Sequence, residues 1–397
     1  MGRRGTTTGR RHRGRLAAAL AALAVLAAGA AGSATAAGAS VRPVLAAAGV
    51  HQAALAAVSC ARAKLCIAVG RRARPHGQAP FAERWRGGSW TGLAIPAPKA
   101  SDAFLVAVSC ASSTACTAVG GQASSQTKAG PLAEQWNGRR WRVTQASDPA
   151  GVTAGNLYGV SCASATNCVA VGTSQGRKRD VTLSERWNGR SWKVLPQLEV
   201  RRSVTLTGVD CTARFCMAVG EIEAPAQAGE VAMAAKLIRN SWQLVSTPGL
   251  AGSNLTVFYD DWCSSRAFCL AVGQYQGTTD KAIAEQWTGT TWTPQPMLAA
   301  NQILFGISCF SSARCMAVGS GLSRPVGQQW TGTAWTSVPT ANITGGSFAA
   351  LYQVSCPTAT RCLAVGARTS GALGAVGSPL AEEWNGSSWR VVAAASP

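Results

Sequence analysis

A pair of cysteines five or six positions apart recurs seven times along this chain, and no other feature restricts its fold so tightly. The pairs are Cys60/Cys66, Cys110/Cys116, Cys162/Cys168, Cys211/Cys216, Cys263/Cys269, Cys309/Cys315 and Cys356/Cys362. First cysteines follow one another at intervals of 50, 52, 49, 52, 46 and 47, so the 397 residues contain seven tandem units of about 50. A period of that length calls for a solenoid or a propeller before any other architecture.

Each unit reads as four short strands. An apolar alternation such as Leu157–Cys162 comes first, followed by Cys-x-Ala-Val-Gly, which all seven units share. A third segment resembles Leu132–Trp136, and a fourth resembles Trp141–Val143. Asn-Gly between the last two, at Asn137-Gly138, Asn188-Gly189 and Asn385-Gly386, is a hairpin signal. No long helical periodicity interrupts the pattern. The expectation is an all-β chain forming a single seven-bladed β-propeller over residues 55–397, with four antiparallel strands per blade.

The cysteine pair is expected at the facing ends of strands one and two, across the turn that joins them. Antiparallel neighbours are close enough at Cα for a disulfide. One local bridge per blade, Cys-x4/5-Cys, pins strand register and stabilises by about 2 kcal/mol on the chain-entropy model. Structural zinc requires four converging ligands at closer spacing, and no Cys-x-x-Cys redox motif occurs. Neither a metal nor any other cofactor is expected.

Residues 1–36 read as a secretory signal: six arginines from Arg3 to Arg15, an apolar run from Leu16 to Ala28, then small residues ending Ala34-Thr35-Ala36. The run is short for a membrane span. No cysteine precedes Cys60, which excludes a lipid at the cleavage site. Arg10-Arg11 faintly matches a twin-arginine signal, but the general secretory route better suits a disulfide-rich chain. Residues 37–54 read as a spacer. The expected product is extracellular, monomeric, without a transmembrane anchor, and able to associate with the cell wall.

Thirteen of the 14 tryptophans occupy two repeat positions, in strands three and four, where they supply core between blades. Glu83, Glu134, Glu185, Glu285 and Glu382 precede the first tryptophan by two, and such repetition points to a backbone partner rather than catalysis. Tyr158, Tyr259 and Tyr352 align four residues before a cysteine, also as packing groups.

The Gly-x-x-Trp turn, as in Gly138-Arg139-Arg140-Trp141, resembles the Asp-box (BNR) of sialidase-type propellers, and the unit length is similar to kelch repeats. The box aspartate is replaced by tryptophan, and the paired kelch glycines are missing. The complete unit resembles a class of secreted bacterial propeller-repeat proteins over residues 55–395. This resemblance implies the fold and transfers no catalytic residue, since the sialidase arginine triad and tyrosine nucleophile have no counterparts here.

Function is expected on the end of each blade that holds the 2–3 turns and 4–1 connections, which vary in length while the 1–2 and 3–4 turns do not. Candidate residues there are Arg71, Arg72, Arg74, Arg177, Lys178, Arg179, Arg201 and Arg202. A net charge of +20 suits acidic glycans or wall polymers, although bases also dot the opposite turns. No nucleic-acid reading motif accompanies the charge, so nucleic acid is not an expected partner. Units four and five break the pattern, adding Glu221, Glu223, Tyr259, Asp260 and Asp261 as candidates, with Asp210 and Trp262 replacing the serine before the cysteine. Strand length places Asp210, Asp260 and Asp261 away from Glu221 and Glu223. The reading is a non-enzymatic binding or scaffold module for a glycan, cell-wall polymer or extracellular protein. The alternative is a glycan hydrolase or lyase using the acids of units four and five.

Overall fold

The computed structural model describes residues 52–395 apart from 97, 99, 126–127, 226–228, 249–254, 278, 297–300, 344–347 and 370–376. The signal assigned to 1–36 lies outside the described residues. Twenty-eight strands and no helix occur among the described residues, so no helix there could cross a membrane.

Strands β1 (Ala53–Arg62) to β4 (Trp90–Gly92) form an antiparallel sheet in sequence order, and the same four-strand arrangement repeats through β25 (Phe348–Thr358) to β28 (Trp389–Val391). Five sheets have four strands. One has eight, because units four and five are joined by a single parallel bridge, Glu230↔Leu255, between β15 (Glu230–Ile238) and β17 (Leu255–Ser265). The first strand begins at Ala53, two residues inside the segment read as a spacer.

All seven disulfides are local, with Cα atoms 3.8–4.1 Å apart. Their placement corrects the sequence reading, which put the cysteines at strand ends around a five-residue loop. Cys60 faces Cys66 in register and β1 continues to Arg62, leaving only Ala63-Lys64 as the turn. In six units the second cysteine lies one residue inside strand two, as Cys66, Cys116, Cys168, Cys269, Cys315 and Cys362. None of these six is more than 4% exposed, so each counts as core and not as a surface turn residue. The physical reason is that the strand pair stays hydrogen-bonded past the bridge, and the preceding unit covers the second cysteine. Unit four, with its shorter loop, is the exception: Cys211 ends its strand and Cys216 starts the next.

Strand two explains the shared Cys-x-Ala-Val-Gly. Residues Cys66–Gly70 are buried throughout, so both faces of the strand are covered. Cys66 and Ala68 pack with Leu363 and Val365 of the last unit, whereas Ile67 and Val69 pack with Leu105 and Val108 of the second. A strand buried on both sides must be apolar without alternation. Among the described residues, seven apolar clusters each combine two successive units, and the last of these joins units seven and one.

The motif glycine has a steric role. A Cβ on Gly172 would lie 1.9 Å from the Asn156 carbonyl oxygen, and the equivalent glycines are equally close to strand one. Opposite it, strand one carries a one-residue bulge: Leu157 pairs Gly172, Gly159 pairs Val171, and Tyr158 is left over. Every unit repeats this bulge, at Ala56, Val106, Tyr158, Thr207, Tyr259, Phe305 and Tyr352. Bulges re-aim the extra side chain, and here they single out one residue per inner strand.

Strands three and four are clamped by their tryptophans, which face one another in register with ring centroids 5.4–5.8 Å apart in six units. Leu237 takes the first position in unit four, where it meets Trp242. Each buried ring contributes on the order of 4–6 kcal/mol of apolar burial.

Hydrogen bonds between units follow a common rule. The serine before the first cysteine accepts the backbone N–H of the next unit's first cysteine: Cys110 to Ser59 at 3.0 Å, Cys162 to Ser109 at 3.0 Å, Cys211 to Ser161 at 2.9 Å, and Cys356 to Ser308 at 2.9 Å. Cys60 of unit one donates in the same way to Ser355 of unit seven, at 3.0 Å.

Candidate binding site

The bridges themselves belong to the framework. Cys116, Cys168, Cys269, Cys315 and Cys362 are each buried in an apolar cluster shared with a neighbouring unit, as Cys66 is, so no ligand can reach them. Their contribution to a site is to fix the strands that carry it.

The pattern-breaking acids of units four and five separate into two groups. Asp210 replaces the bridging serine and does its work: the Cys263 N–H donates to Asp210 Oδ2 at 2.8 Å, and Ser161 Oγ donates to Asp210 Oδ1 at 2.9 Å. Asp260 receives the Ile307 N–H at 2.9 Å and Gln353 Nε2 at 3.1 Å, tying unit five to units six and seven. Asp261 is 4% exposed, and its Oδ1 has no partner among the described residues. Burial raises all three carboxyls, Asp260 to about 7, and the proximity of Asp210 and Asp260 raises Asp261 further. Asp210 and Asp260 keep some solvent contact by area, yet protein encloses them on nearly every side. These groups hold strands together, and burial favours their protonated forms.

The second group lies toward the connection end. Glu221 on β14 (Cys216–Glu223) and Glu230 at the start of β15 share a side-chain hydrogen bond, and burial with the Glu230 charge raises the Glu221 carboxyl well above its ordinary value. Tyr259 belongs here and not with its sequence neighbour Asp260, because the bulge turns it the other way. Its hydroxyl donates to Gln274 Oε1 at 2.9 Å, and burial raises its pKa, reinforced by Glu221, Asp280 and Glu230. Burial likewise raises the Tyr158 phenol, helped by the charges of Asp180 and Glu221 against a hydrogen bond with Asn156. From Tyr259 an aromatic arc continues to Phe305 at 5.5 Å and Tyr352 at 5.9 Å between centroids. Burial raises the Tyr352 phenol, partly offset by Arg71.

The basic candidates reach the same end but do not converge. Arg71, Arg72 and Arg74 close β2 (Leu65–Arg74), and Arg177, Lys178 and Arg179 form the turn before β11 (Asp180–Trp187). Arg201 is exposed, while the Arg202 guanidinium is folded back onto the Glu223 carbonyl at 2.7 Å. Glu223 also accepts the Ser203 N–H at 3.3 Å. Of the sequence candidates, Arg202 meets Glu223, and Glu221 is near enough to Tyr259 for its charge to raise the phenol. Gln274 and Phe305 join Tyr259 unannounced, although Phe305 shares the alignment of the three tyrosines.

The repeated glutamates are all buried, and two of the five tie neighbouring units together. Glu185 accepts the N–H of Ser147 at 3.1 Å, and Glu382 that of Ala341 at 3.0 Å, each from the connection leaving the preceding unit. Both carboxyl oxygens of Glu83, Glu134 and Glu285 are buried without a hydrogen-bond partner among the described residues. Burial pushes Glu83 and Glu382 up to about 7 and Glu134, Glu185 and Glu285 up to about 8. Among the described residues, no cluster of three or more histidine, cysteine or acidic residues could hold a metal ion.

Comparison with solved structures relates this architecture to β-propeller proteins. YCF48 from Cyanidioschyzon merolae is similar at 12% identity and a TM-score of 0.51, over 80% of this chain and 94% of that one. A PL25 ulvan lyase bound to -[GlcA(1-4)Rha3S]- is similar at 8% identity and a TM-score of 0.52, over 82% and 91%. The lectin of Aleuria aurantia, a six-bladed β-propeller, matches at 12% identity and a TM-score of 0.44, over 75% and 98%. At such identities the likeness is one of fold. No family model matches the chain. No curated protein matches it either.

Proposed function

We propose that the chain is a closed seven-bladed propeller that binds a glycan without catalysis. Under this reading the eight-stranded sheet is two blades touching at one bridge, and the seventh apolar cluster with the Cys60–Ser355 bond closes the ring. The chain is secreted in this reading, in keeping with its seven disulfides. The ligand occupies the connection end, against Tyr158, Glu221 and Tyr259, whose hydroxyl the buried Gln274 holds, with the Tyr259–Phe305–Tyr352 arc as an apolar wall. Hydroxyl-rich ligands suit such a wall edged with carboxyl and phenol groups.

The observation that carries non-catalysis is the Glu221–Glu230 contact. Glycosidase carboxyls stand about 5 to 10 Å apart to admit sugar or water between them, whereas these two share a hydrogen bond. Asp210 and Asp260 are already committed to backbone and side-chain partners. The same pair, one carboxyl raised, favours the enzyme as a second reading.

A glycan panel, scored for retention and for released product, tests both. Retention without product, weakened about tenfold or more by Tyr259→Phe or Glu221→Gln, is the expected result. Released or unsaturated sugar would replace the binding reading with the enzymatic one.

A further inference from the structure

The two ends of the sheets differ in charge, and the difference is invisible when bases alone are counted. All 17 acids lie among the described residues. Six are buried in third strands, at the five repeated positions and at Glu383, and three are the enclosed Asp210, Asp260 and Asp261. The other eight, from Asp102 through Asp148, Glu199 and Glu223 to Asp280, all lie at the connection end. The end formed by the 1–2 and 3–4 turns has no freely exposed acid.

That end carries eleven bases, ten of them arginine, from Arg62 and Lys64 in the first unit to Arg361 in the last. Arg361 is paired with buried Glu383, and the other ten are exposed. Glu383 is ion-paired with both Arg361 and Arg390. The two turns of each unit lie side by side: a Cβ on Gly138 would touch the Thr114 methyl at 2.8 Å, and one on Gly87 the Lys64 side chain at 3.5 Å. Arg139 and Arg140 are held in the turn because their N–H groups donate to Asn137 Oδ1 at 3.0 and 2.9 Å. Phe310, beside Cys309 at this end, is 54% exposed.

We infer that the disulfide-turn end is a second binding surface, specific for an extended acidic polysaccharide bearing carboxylates. Arginine forks match planar carboxylates in pairs. Positive charge repeated from unit to unit suits a polymer whose own charge repeats. Tight, uniform turns offer no groove for a small ligand. Duplex nucleic acid requires a helix or ribbon that enters a groove, and single strands require a row of stacking rings; neither is present here, where Phe310 stands alone among the exposed large apolar side chains as an aromatic. A membrane surface would need more apolar insertion than one phenylalanine supplies.

The test uses purified, oxidised protein on immobilised polygalacturonate across a salt series. Duplex DNA and phosphatidylglycerol vesicles serve as parallel ligands. One variant carries Arg→Gln at 139, 140, 190, 214, 266 and 314. A control carries Gln at 71, 72, 74, 177, 178 and 179, on the opposite end. We expect the first set to lose about tenfold or more in affinity with a shallower salt dependence, and the control less than about threefold. Equal losses would reduce the effect to overall charge and overturn the assignment, as would no retention, or tighter binding to DNA or vesicles. Should the six-site variant melt early, the three-site halves (139, 140, 190 and 214, 266, 314) serve in its place. Because this surface is remote from Glu221 and Tyr259, its failure would leave the proposed glycan site standing.

Discussion

Replacing Glu185 by glutamine should make the protein more stable at neutral pH and abolish part of its acid preference. Glu185 is fully buried, and desolvation pushes its carboxyl from 4.5 to about 8 against the opposing Ser147 hydrogen bond, with Asp148 adding to the rise. Below pH 4.5 the folded and unfolded chains both hold the proton, and the group's full contribution is present. Between that point and about 8, only the folded chain keeps it, so stability falls as pH rises, by about 1.4 kcal/mol per unit. By pH 7 this amounts to about 3 kcal/mol for the one group. Glutamine keeps the Oε1 acceptor for Ser147 but places an amide where Oε2 has no partner, costing about 1 kcal/mol. The variant should therefore be slightly weaker than wild type near pH 5 and about 2 kcal/mol stronger at pH 7. Urea melts followed by tryptophan fluorescence from pH 5 to 8 would show the two stability curves crossing. The chain has only three histidines, so that residue type contributes little in this window. A wild-type midpoint that is flat or rises with pH would refute the reasoning, as would a variant uniformly weaker throughout. Unit six already carries Gln328 at this position, fully buried.

Three further outcomes follow from the contacts between strands and units. Gly172→Ala should destabilise by about 2 kcal/mol or more in the same melts, since its Cβ would meet the Asn156 carbonyl at 1.9 Å. Ala284→Ser should stabilise by about 0.5–1 kcal/mol, because Trp335 Nε1 is unpartnered while Trp242 Nε1 donates to Ser184 at the equivalent place, at 2.9 Å. Ser355→Ala and Ser109→Ala should cost the same, about 1 kcal/mol each; a silent Ser355 would mean that units seven and one do not meet in solution.

The cysteine spacing made the repeat legible because a local disulfide, a buried second strand and a tryptophan clamp each need a fixed residue at a fixed offset. Less regular features were not legible. Spacing alone could not say that Cys116 or Cys362 sits inside a strand and under a neighbouring unit, because pairing past the bridge leaves no mark in the letters. A bulge breaks the period of two, so nothing in Tyr259-Asp260-Asp261 says that the tyrosine turns toward Glu221 while Asp260 reaches for Ile307 and Gln353. Asp210 reads as a departure with chemical promise, yet a carboxylate accepts the same N–H as the serine it replaces. The charge asymmetry was hidden because arginines occur at both ends; only the burial of Glu83, Glu134 and their equivalents shows which acids are unavailable to offset them.

The two-faced second strand also bears on how the protein would come apart. Ala68 belongs to one apolar cluster and Val69 to another, so no unit owns a core of its own. An open row of repeats frays from its ends, where the terminal cluster has one neighbour; here units one and seven share theirs. A protease that cuts a single connection should release no fragment, since each piece remains held by a wall on both sides. The cut chain would migrate as one species until denatured, and unfolding should begin everywhere at once or not at all.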